Sequence, residues 1–158
     1  MGMLSLHPTA MRKVIVLHVF CCLLNGGFKI HQSTGNYRRS RGQILLDVFR
    51  EKSPEEFLNN VDLDNIEPFT LIIYNSIEDK LNVLVWDEKN KHISQLNADE
   101  PHFWASATLY SPEFSQKRKQ QFFDFMNNQS TNLETVIFTL HNSEKQQNGF
   151  ILNDRDGI

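Results

Sequence analysis

The sequence has few cysteines, and the two it has cannot form a disulfide framework. Cys21 and Cys22 are adjacent, and the other 156 of the 158 residues include no cysteine. Disulfide-stabilised domains and cysteine zinc sites need several spaced cysteines, so both classes are excluded. Because the pair lies in an apolar run, we expect two buried free thiols, which suits a reducing compartment.

An excess of charge of either sign is also absent. The formal net charge is −3 and the isoelectric point is near 6.0. These values exclude bulk attraction to nucleic acid or to anionic lipid, so we predict no nucleic-acid partner. The most apolar run is too short to cross a bilayer, so we predict no transmembrane segment. Apolar residues still make up 40% of the chain and include 12 phenylalanines, which indicates a packed core.

No internal repeat, low-complexity tract or linker rich in proline and glycine divides the sequence. Residues 1–13 have the composition of an unpacked leader. We therefore predict a single domain over residues 14–158.

The region near the N-terminus supports two interpretations. Arg12 and Lys13 precede an apolar run from Val14 to Leu24, an order typical of a secretory signal. The same run is rich in β-branched and aromatic residues and ends at two glycines, which is typical of a buried strand. We favour the strand and a cytoplasmic protein. The alternative is a small secreted or membrane-associated binding protein with an N-terminal signal peptide.

Local patterns predict an α+β protein with its helices and strands in separate runs. Helical spacing and capping signals predict helices over residues 41–50, from the capping residue Ser53 through Val61, from Ser111 through Met126, and over residues 131–140. Runs rich in β-branched and aromatic residues predict strands at Phe69–Tyr74, Leu81–Trp86, His92–Leu96, Trp104–Tyr110 and 149–152. The first three of these form an antiparallel meander.

Two short motifs are candidates for a binding site. Asn25, Gly26 and Gly27 form a turn that can expose an amide and backbone N–H groups, the donors that stabilise an oxyanion. Arg39 and Arg41 stand at the start of a helix, where guanidinium groups can hold a carboxylate or phosphate. In both cases the alternative is purely structural, a tight turn or a solvated surface.

The residues that commonly carry catalysis or bind metals are not arranged for either. The six histidines occur singly, without the spacing of a metal site, so we predict no metal. Ser106 and Thr108 lack a Gly-x-Ser-x-Gly elbow, and thiols inside an apolar strand disfavour the thiolate. We therefore predict no catalytic residue.

Several segments, taken together and in their order along the chain, resemble the NRDE family, which includes transport and Golgi organisation protein 2. The resemblance is greatest to the bacterial members of that family. The matching pieces are Cys22-Leu23-Leu24-Asn25-Gly26-Gly27-Phe28, Tyr37-Arg38-Arg39-Ser40-Arg41-Gly42, Glu67-Pro68-Phe69-Thr70, Val85-Trp86-Asp87, Ser106-Ala107-Thr108-Leu109-Tyr110-Ser111 and Asn148-Gly149-Phe150. The resemblance implies an αββα sandwich of the N-terminal-nucleophile hydrolase-like kind, with two antiparallel sheets. It also implies a small-molecule ligand for the full-length family.

The sequence departs from that family where the chemistry would lie. Family members carry a cysteine directly after the initiator methionine and an Asn-Arg-Asp-Glu motif soon after it, and this sequence has neither. An N-terminal nucleophile uses its own α-amino group as a base, which an internal cysteine cannot do. We therefore expect an incomplete, catalytically inactive NRDE-like domain, as a truncated gene, a misplaced start codon or a frameshift would produce.

The resemblance also gives the two candidate motifs a common role. It implies that Asn25, Gly26, Gly27, Arg39 and Arg41 form the surviving wall of a site. Haem handling follows from the family alone, because nothing in the spacing of histidines and cysteines selects haem, and we predict no cofactor.

Overall fold

The computed structural model describes residues 18–109 and 111–127. In these ranges the chain forms four strands and three helices, in the order β1 Val19–Asn25, α1 Arg41–Asp47, α2 Pro54–Asn60, β2 Phe69–Asn75, β3 Lys80–Trp86, β4 Lys91–Leu96 and α3 Pro112–Asn127. This combination of helices with an antiparallel sheet confirms the expected α+β class. The leader at 1–13, the start of the apolar run at 14–17, the helix at 131–140 and the strand at 149–152 lie outside the described residues.

The strands form one sheet in which each strand pairs antiparallel with the next along the chain, in the order β1-β2-β3-β4. Leu71 in β2 lies opposite Leu23 in β1 and opposite Leu84 in β3. β2 and β3 are joined by a tight hairpin in which Asp79 has a left-handed φ of 51°, a conformation that aspartate tolerates. The predicted meander of β2, β3 and β4 is confirmed, and among the described strands β1 lies at the edge of the sheet, beside β2.

A capping box starts α1. The Ser40 hydroxyl accepts a hydrogen bond from the Gln43 N–H at 3.3 Å, and the Ser40 N–H donates to the Gln43 side chain at 3.1 Å. The helix predicted over residues 41–50 ends earlier, at Asp47. After that point the Val48 N–H donates to the Leu45 carbonyl, three residues earlier, so the α-helix is replaced by tighter turns.

The signals read for the next helices are confirmed. The Ser53 hydroxyl accepts a hydrogen bond from the Glu56 N–H at 3.1 Å, and Pro54 occupies the first turn of α2. Pro112 likewise begins α3, whose Phe122 packs against Phe103 with ring centroids 5.7 Å apart. α3 is therefore attached through an aromatic contact to the loop that follows β4.

The main core lies between one face of the sheet and the two short helices, and we call this side the helix-covered face. Period-two alternation in β2 and β3 sends one set of side chains to this face, where they meet residues of α1 and α2. The buried cluster consists of Ile44, Val48, Phe57, Leu58, Leu63, Ile66, Phe69, Leu71, Ile73, Leu84 and Trp86. Trp86 Nε1 donates to the Ile66 carbonyl at 2.8 Å, so the buried indole is satisfied.

The other side of the sheet, the opposite face, carries a smaller core. Ile72, Leu81 and Val83 are buried there, and Ala98 and Trp104 from the loop after β4 pack against them. Towards β1 the apolar surface stays open, since Phe20 is 55% exposed. Among the described residues, more side chains are therefore buried on the helix-covered face than on the opposite face.

Two expectations are wrong. Residues 104–109 are not a strand: residues 104–106 are irregular, and residues 107–109 form a turn in which the Leu109 N–H donates to the Ser106 carbonyl. Cys22 is exposed and Cys21 is half-buried, although both were expected inside. The reason for the second error is that side chains alternate along β1, so that Cys22 points to the less covered side of the described sheet.

Candidate functional site

The turn of Asn25, Gly26 and Gly27 lies at the end of β1. Gly26 has a φ of +87°, a conformation that side chains with a Cβ rarely adopt. A Cβ on Gly27 would lie 2.7 Å from the Trp86 carbonyl oxygen, closer than such atoms can approach. Pro68 accepts a hydrogen bond from the Gly26 N–H at 3.0 Å. Both glycines are therefore required by the backbone, and the Gly26 N–H is not free to stabilise an oxyanion.

The loop after β4 packs against the same turn. The Ser106 hydroxyl donates to the Asn25 carbonyl at 2.8 Å and lies 3.0 Å from the Thr108 hydroxyl. A Cβ on Gly26 would come within 3.0 Å of the Ala107 Cβ, so the two backbones are in close contact. Ser106 and Thr108, which were considered as nucleophiles, therefore hold the turn in place.

A charged cluster beside the turn fixes the following loop. Glu67 accepts from His31 Nε2 at 3.0 Å through one carboxylate oxygen and pairs with the Arg41 guanidinium at 3.1 Å through the other. The three side chains are 80% or more buried, since 20%, 12% and 18% of their surfaces are exposed. Because the second nitrogen, Nδ1, is buried without a partner among the described residues, the proton is assigned to Nε2.

The environment of Glu67 favours its ionised form. Burial opposes ionisation, but the hydrogen bond from His31, the Arg41 guanidinium and a hydrogen bond from Ser33 outweigh it. Together they hold the pKa of Glu67 below its ordinary value of 4.5. Arg41 also donates to the Pro68 carbonyl at 3.2 Å, the same oxygen that the Gly26 N–H reaches. Arg41 is thereby joined to the turn.

Arg39 lies in a different place. Its guanidinium pairs with Asp47 at 2.6 Å, and Asp47 also accepts from Arg50 at 2.7 Å. This group lines a separate cavity of about 290 Å³ whose charged residues are Arg38, Arg39, Asp47, Arg50, Glu51 and Asp62. The five residues predicted as one wall are therefore divided, with Arg39 apart from the turn and Arg41 against it. Their role in binding stays a prediction.

Two cavities flank the segment Gly27–Ile30 that follows the turn. The larger, of about 430 Å³, is lined by Gly27, Phe28, Lys29, Ile30, Ala105, Ser106, Ala107, Pro112 and Ser115. The smaller, of about 340 Å³, is lined by Gly27, Phe28, Lys29, Ile30, His31, Pro68, Asp87, Glu88 and Lys89. The segment is thus a wall shared by both, and its Phe28 and Ile30 side chains are 62% and 64% exposed. Volumes of this size are typical of small-molecule sites.

The carboxylates of the smaller cavity already have partners. Asp87 accepts from the backbone N–H groups of Asn90 at 2.7 Å and Lys89 at 2.9 Å, and from His92 at 2.7 Å. These bonds, that from Asn90 above all, lower the pKa of Asp87 to about 2. Glu88 accepts from the Tyr37 hydroxyl at 3.1 Å. Asp87 is therefore a turn residue that stays ionised throughout the neutral pH range.

The cysteines do not supply a nucleophile to this site. Burial, with a contribution from Cys22, raises the pKa of the Cys21 thiol to about 11, so the thiolate is scarce at neutral pH. Cys21 packs against the helix-covered face and Cys22 points to the opposite side of the sheet. Across residues 18–109 and 111–127, no group of three or more His, Cys, Asp and Glu side chains can hold a metal ion.

His31, Glu67 and the wall Phe28–Ile30 were missed as site residues by sequence reasoning. His31 and Glu67 are 36 positions apart, and an isolated histidine gives no sign of its partner. A signal did exist for Glu67, since Glu67-Pro68 was one of the matched segments. Its importance depends on the pairing of β1 with β2, which brings Pro68 to the glycine turn.

Comparisons with protein-family models, with curated proteins and with solved structures found no match. The described helices include none long and apolar enough to cross a membrane.

Proposed function

We propose that this protein is an NRDE-like domain that binds a small molecule beside the glycine turn and does not hydrolyse it. The observation that carries the proposal is the shared wall Gly27–Ile30, which has a cavity of ligand size on each side. The wall starts at a turn that is fixed by both glycines and by Ser106. A rigid support of this kind is what a binding site needs.

The proposed fold is the αββα sandwich of N-terminal-nucleophile hydrolase-like proteins. Two features support it: helices cover one face of an antiparallel sheet, and the other face is apolar, as a second layer requires. The glycine turn and the Glu67-Pro68 pair meet in space through the Gly26–Pro68 hydrogen bond. Two segments matched separately in the sequence thus contribute to one structural unit.

Several features support a binding role without hydrolysis. The pKa of the Cys21 thiol is raised, the Gly26 N–H is occupied by Pro68, and Ser106 is bonded to Asn25. No Asn-Arg-Asp-Glu run occurs in the sequence. Among residues 18–109 and 111–127, the nucleophile and the oxyanion donor that acyl transfer requires are therefore not assembled around the turn.

A binding screen and a hydrolysis assay test the proposal together. We expect small molecules from a chemically diverse library to raise the thermal unfolding temperature, and Phe28→Ala to abolish that shift. Activity on ester and amide substrates should equal the buffer blank, in the parent and in Cys22→Ser alike. Hydrolysis that is lost in Cys22→Ser would disprove the proposal, as would a library that contains no binder.

We also propose that the protein works in the cytoplasm. Neighbouring residues of a strand point to opposite faces, so Cys21 and Cys22 cannot pair with each other inside β1. Cys22 is an exposed free thiol, which suits a reducing compartment. Fractionation of cells that express a C-terminally tagged chain should place it in the cytosol, and recovery from the medium would contradict this.

A further inference from the structure

The larger of the two cavities differs from the smaller one in its lining. Its walls are mainly apolar or small, with Phe28 and Ile30 on one side and Ala105, Ala107 and Pro112 among the others. Ser106 adds a hydroxyl that is already bonded to Asn25. Among the described residues that line this cavity, Lys29 carries the one charged side chain.

The Lys29 ammonium is available for a ligand. Within residues 18–109 and 111–127 it makes no hydrogen bond or ion pair, in contrast to Lys91, whose ammonium donates to the Leu58 carbonyl at 2.7 Å and to that of Asn59 at 3.1 Å. Among its described residues, the cavity therefore combines an apolar wall with one positive charge that has no partner. A molecule that carries the complementary pair, an apolar body and one negative charge, matches both features.

The smaller cavity does not have this character. It shares Lys29 and the wall but also contains the carboxylates of Asp87 and Glu88 and the ammonium of Lys89. An anion placed there would meet two negative groups at close range, which costs free energy. Charge complementarity therefore selects the larger cavity for an anionic ligand.

We propose that the larger cavity binds an organic monoanion with an apolar body, of the kind represented by a medium-chain carboxylic acid. The Lys29 ammonium pairs with the carboxylate, and Phe28, Ile30 and Ala107 contact the hydrocarbon chain. This inference rests on the proposed function, because it names the ligand class of the same site.

Three probes of matched length test the charge requirement by calorimetry on the full chain: octanoate, octanol and octylamine. Octanoate should bind about fivefold more tightly than octanol, the order of effect of one partly exposed ion pair, and octylamine should bind most weakly. Lys29→Met keeps most of the apolar stem and should reduce octanoate affinity to that of octanol, while octanol affinity stays the same.

Two matched variants locate the site. Lys89→Met removes an ammonium from the smaller cavity alone and should leave octanoate affinity within twofold. Phe20→Ser alters the open side of the sheet, another apolar surface, and should also leave it within twofold. Phe28→Ala should weaken octanoate and octanol alike, because it removes the apolar wall.

The outcomes separate the two proposals. Three results would overturn the inference and leave the proposal of a small-molecule site intact. They are equal affinity for octanoate and octanol, tighter binding of octylamine than of octanoate, and equal losses of octanoate affinity in Lys29→Met and Lys89→Met. The inference would also be overturned if none of the three probes binds while other library compounds bind in a manner that depends on Phe28. Failure of every compound would overturn the proposed function itself.

Discussion

The two faces of the sheet are built from the same strands and differ in what covers them. On the helix-covered face, α1 and α2 contribute Ile44, Phe57 and Leu58 to a closed cluster. On the opposite face, within the described part of the chain, the loop after β4 brings Ala98 and Trp104 to the β3–β4 side, and Phe20 on the β1 side is exposed. Stability therefore comes mainly from one face.

This difference shows that the burial of each residue in β1 depends more on the elements that cover its face of the sheet than on the hydrophobicity of its side chain. Phe20 is more apolar than Cys21, yet Phe20 is exposed while Cys21 packs against the main core. The glycine turn joins the two regions, since Gly27 approaches the Trp86 carbonyl and Gly26 contacts Ala107 from the loop after β4. The turn is thus supported from both faces.

Truncation of the main core has the largest expected effect. Phe57 is 1% exposed at the centre of the helix-covered cluster, so Phe57→Ala should lower the free energy of unfolding by about 3–5 kcal/mol. Urea denaturation followed by tryptophan fluorescence measures the loss. Phe49→Ala is the matched control, because Phe49 is 51% exposed and the same truncation should there cost about 1 kcal/mol or less.

The neighbouring cysteines report directly on the two sides of β1. The pKa of Cys21 is raised from 9.0 to about 11, which reduces the fraction of its thiolate about 100-fold at neutral pH. A thiolate of higher pKa is a stronger nucleophile, which offsets about tenfold of that reduction in rate. In Cys21→Ser the exposed Cys22 should therefore react with a disulfide reagent faster than the half-buried Cys21 does in Cys22→Ser, because burial, the larger cause of the raised pKa of Cys21, remains in that variant. Equal rates would mean that the two faces are equally open at β1.

How far the sequence predicts this fold depends on the distance over which each signal acts. Ser40 with Gln43 and Ser53 with Pro54 lie within one turn of their helices, so the helix starts could be read correctly. The ends could not, because α1 stops at Asp47 without a glycine or proline to mark the place. Residues 104–106 have the alternation of a strand, yet they form a loop in which Trp104 packs against the sheet and Ser106 donates a hydrogen bond to Asn25.

The site was less predictable, since it depends on contacts between distant segments. The glycine turn was found because two adjacent glycines are a local signal. Arg39 and Arg41 were grouped because they are close in sequence. At the start of α1, however, the guanidinium group of Arg39 pairs with Asp47 and that of Arg41 pairs with Glu67. The His31–Glu67 pair was not foreseen, because only the pairing of β1 with β2 brings those positions together.

The charged cluster that attaches the loop to the start of α1 gives the helix-covered side a pH dependence. The pKa of Glu67 is lower in the folded protein than its ordinary value of 4.5, so its contribution is complete above that value and is lost as the pH falls. Glu67→Gln should cost about 1–2 kcal/mol at pH 7 and should flatten the decline in stability as the pH falls below 4.5.

Urea denaturation at a series of pH values measures this effect. Glu51→Gln is the control, because Glu51 is an exposed carboxylate in the turns after α1 and its change should stay within about 0.5 kcal/mol. A Glu67→Gln profile parallel to that of the parent would show that Glu67 has the same pKa in the folded and unfolded chains.

The smallest effect is expected on the open side of the sheet. Phe20 touches Tyr74 with ring centroids 6.3 Å apart, and 55% of its surface is exposed. Phe20→Ser should therefore lower the free energy of unfolding by about 1 kcal/mol or less, and should weaken the fluorescence of a dye that binds exposed apolar surface. A loss comparable to that of Phe57→Ala would instead mean that Phe20 is buried in solution. The opposite face would then have its own cover, and the contrast between the two faces would no longer explain where the stability lies.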